Sequence, residues 1–398
     1  MRLGENIGSV FSKGRDIQKV YSYGKLVWER PPIDYSKKPF TVECVSNRCY
    51  IQVRGNGVIK FKYSISGKLY NDYRGIWFDA DSSEEIELRG KGSKISIIAA
   101  DLRGCYIRGE CDVCGNILSL IYGDDYSKYV DTPYVLNSFF IRENSSTTGS
   151  DIRSARNLIL PTVLSNNCFA YMFNYCTYLT EAPELPSTNL ADYCYRGMFY
   201  GCSNLTTAPT LPATTLKYGC YDSMFHGCSQ LTEAPELPAT TLAERCYASM
   251  FQNCSQLTKT PELPSTNLAN YCYSGMFYDC SNLTTAPTLP ATTLKYHCYE
   301  SMFNGCSNLT TAPTLPASIL VGGCYESMFA YCWDLDYVKC YAISTINDAT
   351  TVYSCVKNWL VNAGSHTDKR GRLECYYNIA SQLSENTPND WDTYSIKD

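Results

Sequence analysis

A 26-residue period governs what this chain can become. Cys168, Cys194, Cys220, Cys246, Cys272, Cys298 and Cys324 recur at that interval, and Cys176, Cys202, Cys228, Cys254, Cys280, Cys306 and Cys332 follow in step. Between the two columns lies Met-Phe, from Met172-Phe173 to Met328-Phe329. The unit reads C-Y-x-x-M-F-x-x-C-x-x-L-T-x-A-P-x-L-P-A-T-T-L-x-x-x, and residues 183–228 closely match 261–306, a displacement of three units. Such a period marks an array whose unit cannot bury its own apolar face. One unit has too few apolar side chains to offset the ordering of its backbone. Seven coils should therefore stack into a solenoid with a continuous apolar interior.

Each unit divides into two halves. Leu216, Cys220, Met224 and Cys228 stand at i, i+4 and onward, which predicts a helix with one apolar face, widened by Tyr221 and Phe225. Thr215 is a candidate N-cap, and Thr241-Leu242-Ala243-Glu244 has the capping-box pattern. Gly201, Gly227 and Gly305, with Asn253 and Asp279 in their place elsewhere, suit a helix C-terminus. The other half, such as Leu231–Pro238, is extended, and its two prolines limit any strand to a short piece around Leu-Thr-x. The expected unit is a strand–turn–helix coil with Met-Phe in the core.

The 22 cysteines suggest an extracellular disulfide scaffold at first sight. The sequence from Met1-Arg2-Leu3 onward is interrupted by Lys13, Arg15, Asp16, Lys19 and Lys25, so a secretory signal is not expected. No stretch reaches the roughly 18 apolar residues of a membrane span. Two cysteines eight residues apart on a helix are separated by ~12 Å of rise, and neighbouring helices pack ~8–10 Å apart, both beyond bridging range. The fourteen repeat cysteines therefore read as a reduced, buried ladder of small apolar groups. Cys105, Cys111 and Cys114 form a lone C-x5-C-x2-C cluster, a weak zinc pattern without a second pair. Cys44 and Cys49 flank Val45–Arg48 and could face each other across a hairpin, leaving pairing or metal binding open at both places.

Lys+Arg 34 against Asp+Glu 39, with no basic stripe, argues against a nucleic-acid partner. Three histidines leave little for general-base or metal chemistry, and His226 and His297, at different repeat positions, read as surface residues. No G-x-S-x-G, H-E-x-x-H or Walker pattern is present. Neither an enzymatic activity nor a cofactor is expected. Residues 17–28 read as a β-hairpin around Tyr-Gly-Lys, and Pro31-Pro32 as a linker. Phe40–Cys44, Cys49–Val53, Ile59–Tyr63, Glu85–Leu88 and Ile95–Ile98 read as strands of an antiparallel sandwich or roll.

The M-F-x-x-C core with C-x-x-L-T-x-A-P-x-L-P resembles the BspA-type leucine-rich repeats, in a Cys/Met-rich variant. Gly115–Asp125 resembles the lead-in to these repeats in proteins of Bacteroidales bacteria and their phages, and Tyr337–Ala342 with Asn358–Leu360 their closing segment. The hairpin with Gly24-Lys25-Leu26-Val27-Trp28 looks like N-terminal modules of phage tail-associated proteins. The resemblance implies an α+β chain in which an antiparallel β domain precedes a leucine-rich-repeat-like strand–helix solenoid of seven coils. Its parts would be a docking hairpin and linker (1–35), a β-rich domain and solenoid cap (36–150), the repeats (151–335) and a C-terminal cap (336–398).

The residues at the two x positions of L-T-x-A-P-x-L vary. They are Glu181/Glu184, Thr207/Thr210, Glu233/Glu236, Lys259/Glu262, Thr285/Thr288 and Thr311/Thr314. This row is a candidate contact face for a host glycan or protein; the plain alternative is a solvated surface. Tyr193, Tyr218, Tyr271 and Tyr296 form a second stripe, for contact or for packing between coils. The resemblance implies a virion structural protein that meets other virion proteins through its N-terminal modules, with self-association left open. The alternative it implies is a bacterial surface adhesin.

Overall fold

The computed structural model describes the strands within 19–29, most of 34–122, and residues 136–142, 147–345, 355–366, 371–376 and 391–396, with isolated positions between. The first strands are β1 (Lys19–Ser22) and β2 (Lys25–Glu29), an antiparallel pair, with Tyr23-Gly24 of the expected turn outside the described residues. Then come β3 (Thr41–Cys44), β4 (Arg48–Gly55), β5 (Gly57–Ile65), β6 (Lys68–Tyr70), β7 (Gly75–Phe78), β8 (Glu85–Arg89) and β9 (Lys94–Ala99). β10 (Leu102–Arg108), β11 (Cys111–Asn116) and β12 (Ile152–Ile159) complete two sheets. One runs β12-β11-β3-β9-β5-β6 with β7 beside β5, the other β10-β4-β8, and every pairing is antiparallel except β11–β12. Alternate residues of both sheets, including Val42, Ile51, Ile97, Ile107 and Val113, are buried in one core.

The parallel strand β12 is the joint between the sheets and the repeats. Ser154 on β12 bridges in parallel to Glu181, and Glu181 to Thr207. Residues 136–140 stand in front of the first coil in the same way. Leu136, Ser138 and Phe140 donate their N–H groups to the carbonyls of Cys168, Ala170 and Met172. Ser138 has the positive φ (54°) of its counterparts in the coils.

The coils differ from expectation in both halves: in place of a strand, the extended half makes isolated parallel bridges such as Glu181–Thr207 and Glu233–Lys259. The segment from each first cysteine to each second cysteine contains no α-helix; it is a run of overlapping β-turns. In the second coil Cys194, Arg196, Met198, Tyr200 and Cys202 donate N–H to the carbonyl three residues earlier. The residues between them, Tyr193, Tyr195, Gly197, Phe199 and Gly201, donate to Tyr218, Cys220, Asp222, Met224 and His226 of the next coil. A helix would turn both sets inward upon itself and leave nothing for the neighbour. The run needs a residue with φ > 0 every fourth position, as at Tyr193, Gly197 and Gly201. A strict four-residue period keeps Cys194, Tyr195, Met198, Phe199 and Cys202 buried together. On a helix the same positions would drift by about 40° every four residues.

The stack also continues past residue 335, where the sequence suggests a cap. Tyr325, Ser327, Phe329 and Tyr331 donate to Cys355, Lys357, Trp359 and Val361, which form a further turn rung. The short β13 (Ile319–Leu320) pairs in parallel with β15 (Ser344–Thr345). On the other side β14 (Tyr337–Cys340), β16 (Arg372–Cys375) and β17 (Asp392–Ser395) form a parallel sheet that extends the bridge from Thr311 to Tyr337. No helix among the described residues is long and apolar enough to cross a membrane.

The φ > 0 positions explain where glycine sits. A Cβ on Gly201 would come within 2.6 Å of the Tyr175 ring, whereas one on Gly227 would meet the backbone of Gly201 at 3.5 Å, an ordinary contact. Alanine at either site incurs the left-handed penalty of about 1–2 kcal/mol, but only Gly201→Ala adds a clash. Gly201→Ala should therefore lower the urea or thermal midpoint more than Gly227→Ala; equal losses would refute this account of the ring-over-glycine packing.

Candidate functional site

Two aromatic ladders fix the coil interior on which any surface site rests. Tyr195, Tyr221, Tyr247, Tyr273, Tyr299 and Tyr325 stack with ring centroids 5.8–6.1 Å apart. The phenylalanines of Met-Phe stack from Phe173 to Phe329 at 5.6–5.7 Å, and Phe140 begins that ladder at 5.1 Å. Parallel stacking of identical side chains is the geometry in which each ring covers the next.

The two cysteine columns flank these ladders. All fourteen are buried and carry free thiols, although hydrogen-bonded rungs lie about 5 Å apart, closer than the packed helices on which the expected separation rested. The second column has a directional role: Cys202, Cys228, Cys254, Cys280, Cys306 and Cys332 each donate S–H to a phenylalanine carbonyl of the preceding coil, at 3.0–3.2 Å. That carbonyl already accepts an N–H within its own coil, as Phe173 does from Cys176, so the thiol occupies its second lone pair. In the N-terminal sheets Cys44 and Cys49 do face each other, Sγ to Sγ at 2.9 Å. Cys111 and Cys114 do not share a face: strand alternation buries Cys111 and turns Cys114 outward, so the C-x5-C-x2-C cluster does not converge.

Burial raises these thiols because it penalises the thiolate. Cys220 and Cys298 are pushed up to about 12 and Cys168 to about 11, while Cys202, Cys228, Cys254, Cys280 and Cys306 go well above the usual range. Cys355 moves the other way, because Cys324 donates to it.

The candidate contact row lies on the bridged edge. Glu181–Thr207, Glu233–Lys259 and Thr285–Thr311 are parallel bridge pairs, continued by Tyr337. Glu184, Thr207, Thr210, Glu233, Glu236, Lys259, Glu262, Thr285, Thr288, Thr311 and Thr314 are exposed, and Glu181 is half-buried. The row is less acidic than its sequence suggests. Glu181 is held by Arg156 at 3.3 Å and by the Ser154 hydroxyl at 2.6 Å, and Glu233 by Lys259. Between the second and third coils a groove of about 290 Å³ opens, with Thr210 and Glu236 on its rim and Pro209, Pro212, Pro235 and Pro238 among its walls. Prolines that limit the strand also shape this groove.

The tyrosine stripe is mixed. Tyr193 packs edge-on against Tyr218 at 5.0 Å, Tyr271 stacks on His297 at 4.8 Å, and Tyr296 is 58% exposed. His226 stacks on Tyr200 at 4.2 Å, and burial lowers its pKa. Sequence reasoning missed Asp222, 4% exposed, with Arg196 and Arg245 each 3.6 Å away from the coils on either side. The signal was a charge where the fourth and fifth coils carry Ala248 and Ser274.

This geometry defines a parallel repeat array whose invariant interior supports a variable outer edge. The chain belongs to the BspA type leucine rich repeat region family, which matches residues 150–283 and 220–357 in six copies. Comparison with curated proteins returns no match.

The raised thiols have a consequence for stability. Above about pH 9 the unfolded chain releases thiol protons that the folded chain retains until about pH 12. The folded state then binds more protons, so stability falls as pH rises, by about 1.4 kcal/mol per thiol per pH unit. The urea midpoint should drop steeply between pH 9 and 11 under reducing conditions, and Cys220→Ala should shallow the slope by one proton. A midpoint unchanged over that range would show that burial does not hold these thiols protonated.

Proposed function

We propose that this chain is a non-enzymatic recognition protein whose repeats bind a glycan or protein on a host surface through the row from Glu181 to Thr314. Membership of the BspA-type repeats supports a surface or adhesion-type role. The observation that carries the site is the groove beside Thr210 and Glu236. Its proline walls suit the C–H face of a sugar ring, and the rim hydroxyl and carboxylate suit the ring's hydroxyl groups. Exposed Thr288 and Thr314 repeat the rim chemistry farther along the stack, so an extended chain of sugars would meet it more than once, with the gain that multivalency brings.

The finer reading concerns how the protein is carried. We infer display on the virion of a phage of Bacteroidales, with the N-terminal modules docked to other virion proteins. The resemblance of the Gly24–Trp28 hairpin to phage tail modules supports it. Bacterial surface display is the competing reading. Detection of the chain by mass spectrometry in purified particles would favour the virion, and its presence on uninfected cells the adhesin.

For the binding site, the full chain should capture one or more host capsular glycans from a panel. The double variant Thr210→Val/Glu236→Gln should bind them roughly tenfold or more weakly, about 1.4 kcal/mol, with its thermal midpoint preserved. Undiminished binding by the variant would remove the groove from the site. Failure of every glycan, with capture of a host surface protein, would replace the sugar by a protein partner.

A further inference from the structure

On the turn face, the residue two positions after each first cysteine forms a column through the stack: Ala170, Arg196, Asp222, Ala248, Ser274, Glu300 and Glu326, with Lys357 in the following rung. Equivalent residues of parallel rungs lie about 5 Å apart, so two carboxylates in succession repel unless a cation stands between them. The third coil carries a single carboxylate, Asp222, with Arg196 and Arg245 on either side of it. The sixth and seventh coils have no arginine there. Lys357 reaches one oxygen of Glu326 at 3.6 Å, and the facing group is the imidazole of His297, whose Nδ1 lies 3.1 Å from Glu300 Oε2.

That imidazole is held in place. It stacks on Tyr271 with an interplanar angle of 1°, and Gly323 lies beneath it so closely that a Cβ there would come within 2.2 Å of the ring. Nδ1 is buried, and the Glu300 oxygen is the polar group that faces it. The Ser274 hydroxyl donates to Glu300 Oε2 at 3.4 Å and orients that carboxylate. The imidazole nitrogen and one oxygen from each of Glu300 and Glu326 all lie within 4.8 Å of one another, and among the described residues no other three His, Cys, Asp or Glu side chains do so. Two donors about 2.1 Å from a tetrahedral ion stand roughly 3.4 Å apart, so one pair is already in place and the third ligand needs only a small side-chain rotation.

We propose that His297, Glu300 and Glu326 form a binding site for a divalent transition metal, of which Zn²⁺ is the type. One imidazole and two carboxylates with water in the fourth position is a borderline-hard donor set that zinc accepts. The three side chains are 23–30% exposed, which admits an ion and its water from solvent. The ion supplies the charge that the two stacked carboxylates lack, and it clamps the sixth coil to the seventh.

The test is a titration of the full chain, stripped with chelator and kept reduced by a phosphine, with Zn²⁺ by calorimetry and Co²⁺ by absorption. One equivalent should bind, with cobalt showing ligand-field bands and no sulfur-to-metal charge transfer. His297→Asn keeps a residue that tolerates φ > 0, and Glu326→Gln preserves the shape of a half-buried side chain, so both should fold with near-native melting midpoints. Each should weaken binding roughly tenfold or more, and Zn²⁺ should no longer raise its midpoint. Absence of stoichiometric binding, a thiolate charge-transfer band, or affinity unchanged in both variants would each overturn the proposal.

Discussion

Everything in the repeats depends on how the backbone of the turn run divides its hydrogen bonds. Alternate N–H groups close turns within a coil, and the others cross to the next coil. Both sets are satisfied, which a segment buried on one face requires. The division sets the four-residue period of burial, and that period aligns the tyrosines and phenylalanines of successive coils into continuous stacks. Because every second bond goes to another coil, a single coil has no reason to hold its shape alone. Cooperativity is built into the backbone before any side chain is considered.

The side chains then answer the demands this backbone makes. A left-handed residue at every fourth place favours glycine, asparagine, aspartate and serine, and four of the larger residues used there, Tyr171, Tyr175, Tyr193 and His297, lie over a glycine of the next coil. The second cysteine column supplies a compact S–H donor to a carbonyl with one lone pair to spare. A serine there would offer a stronger donor and less apolar volume, and an alanine no donor; cysteine fits both requirements. At the ends, Phe140 stacks on Phe173, and the rung beyond the seventh coil places buried Trp359 in the methionine column and buried Leu360 after it in the phenylalanine column.

Much of this was legible from residue spacing. The register of the coils, the buried fate of Cys, Met and Phe, and strands β3, β4, β5, β8 and β9 could all be read along the chain. The helix could not, because Leu216, Cys220, Met224 and Cys228 satisfy a period of four as readily as one of 3.6 over three turns. The discriminating signals were Gly197, Gly219, Gly275 and Gly323 inside the would-be helix, and the buried pairs at i and i+1, i+4 and i+5. The edge row was legible as exposed and variable, but its pairing of Glu181 with Arg156 depends on β12, which no repeat pattern predicts. The His297–Glu300–Glu326 cluster was illegible for a related reason: it is written across two coils, and each residue taken alone looks like surface.

The near-identity of residues 183–228 and 261–306 gains meaning from the packing of unlike neighbours on the turn face. In the column three residues past the first cysteine, Gly197, Ser223 and Ser249 are followed by Gly275, Ser301 and Ser327. A block of three coils therefore carries its own sequence of contacts and ends where the next block can begin. Copying such a block in frame preserves the contacts at both seams. Length becomes a quantity that can change in steps of about 14 Å while the interior stays the same, so the reach of the outer edge can grow or shrink without a new core.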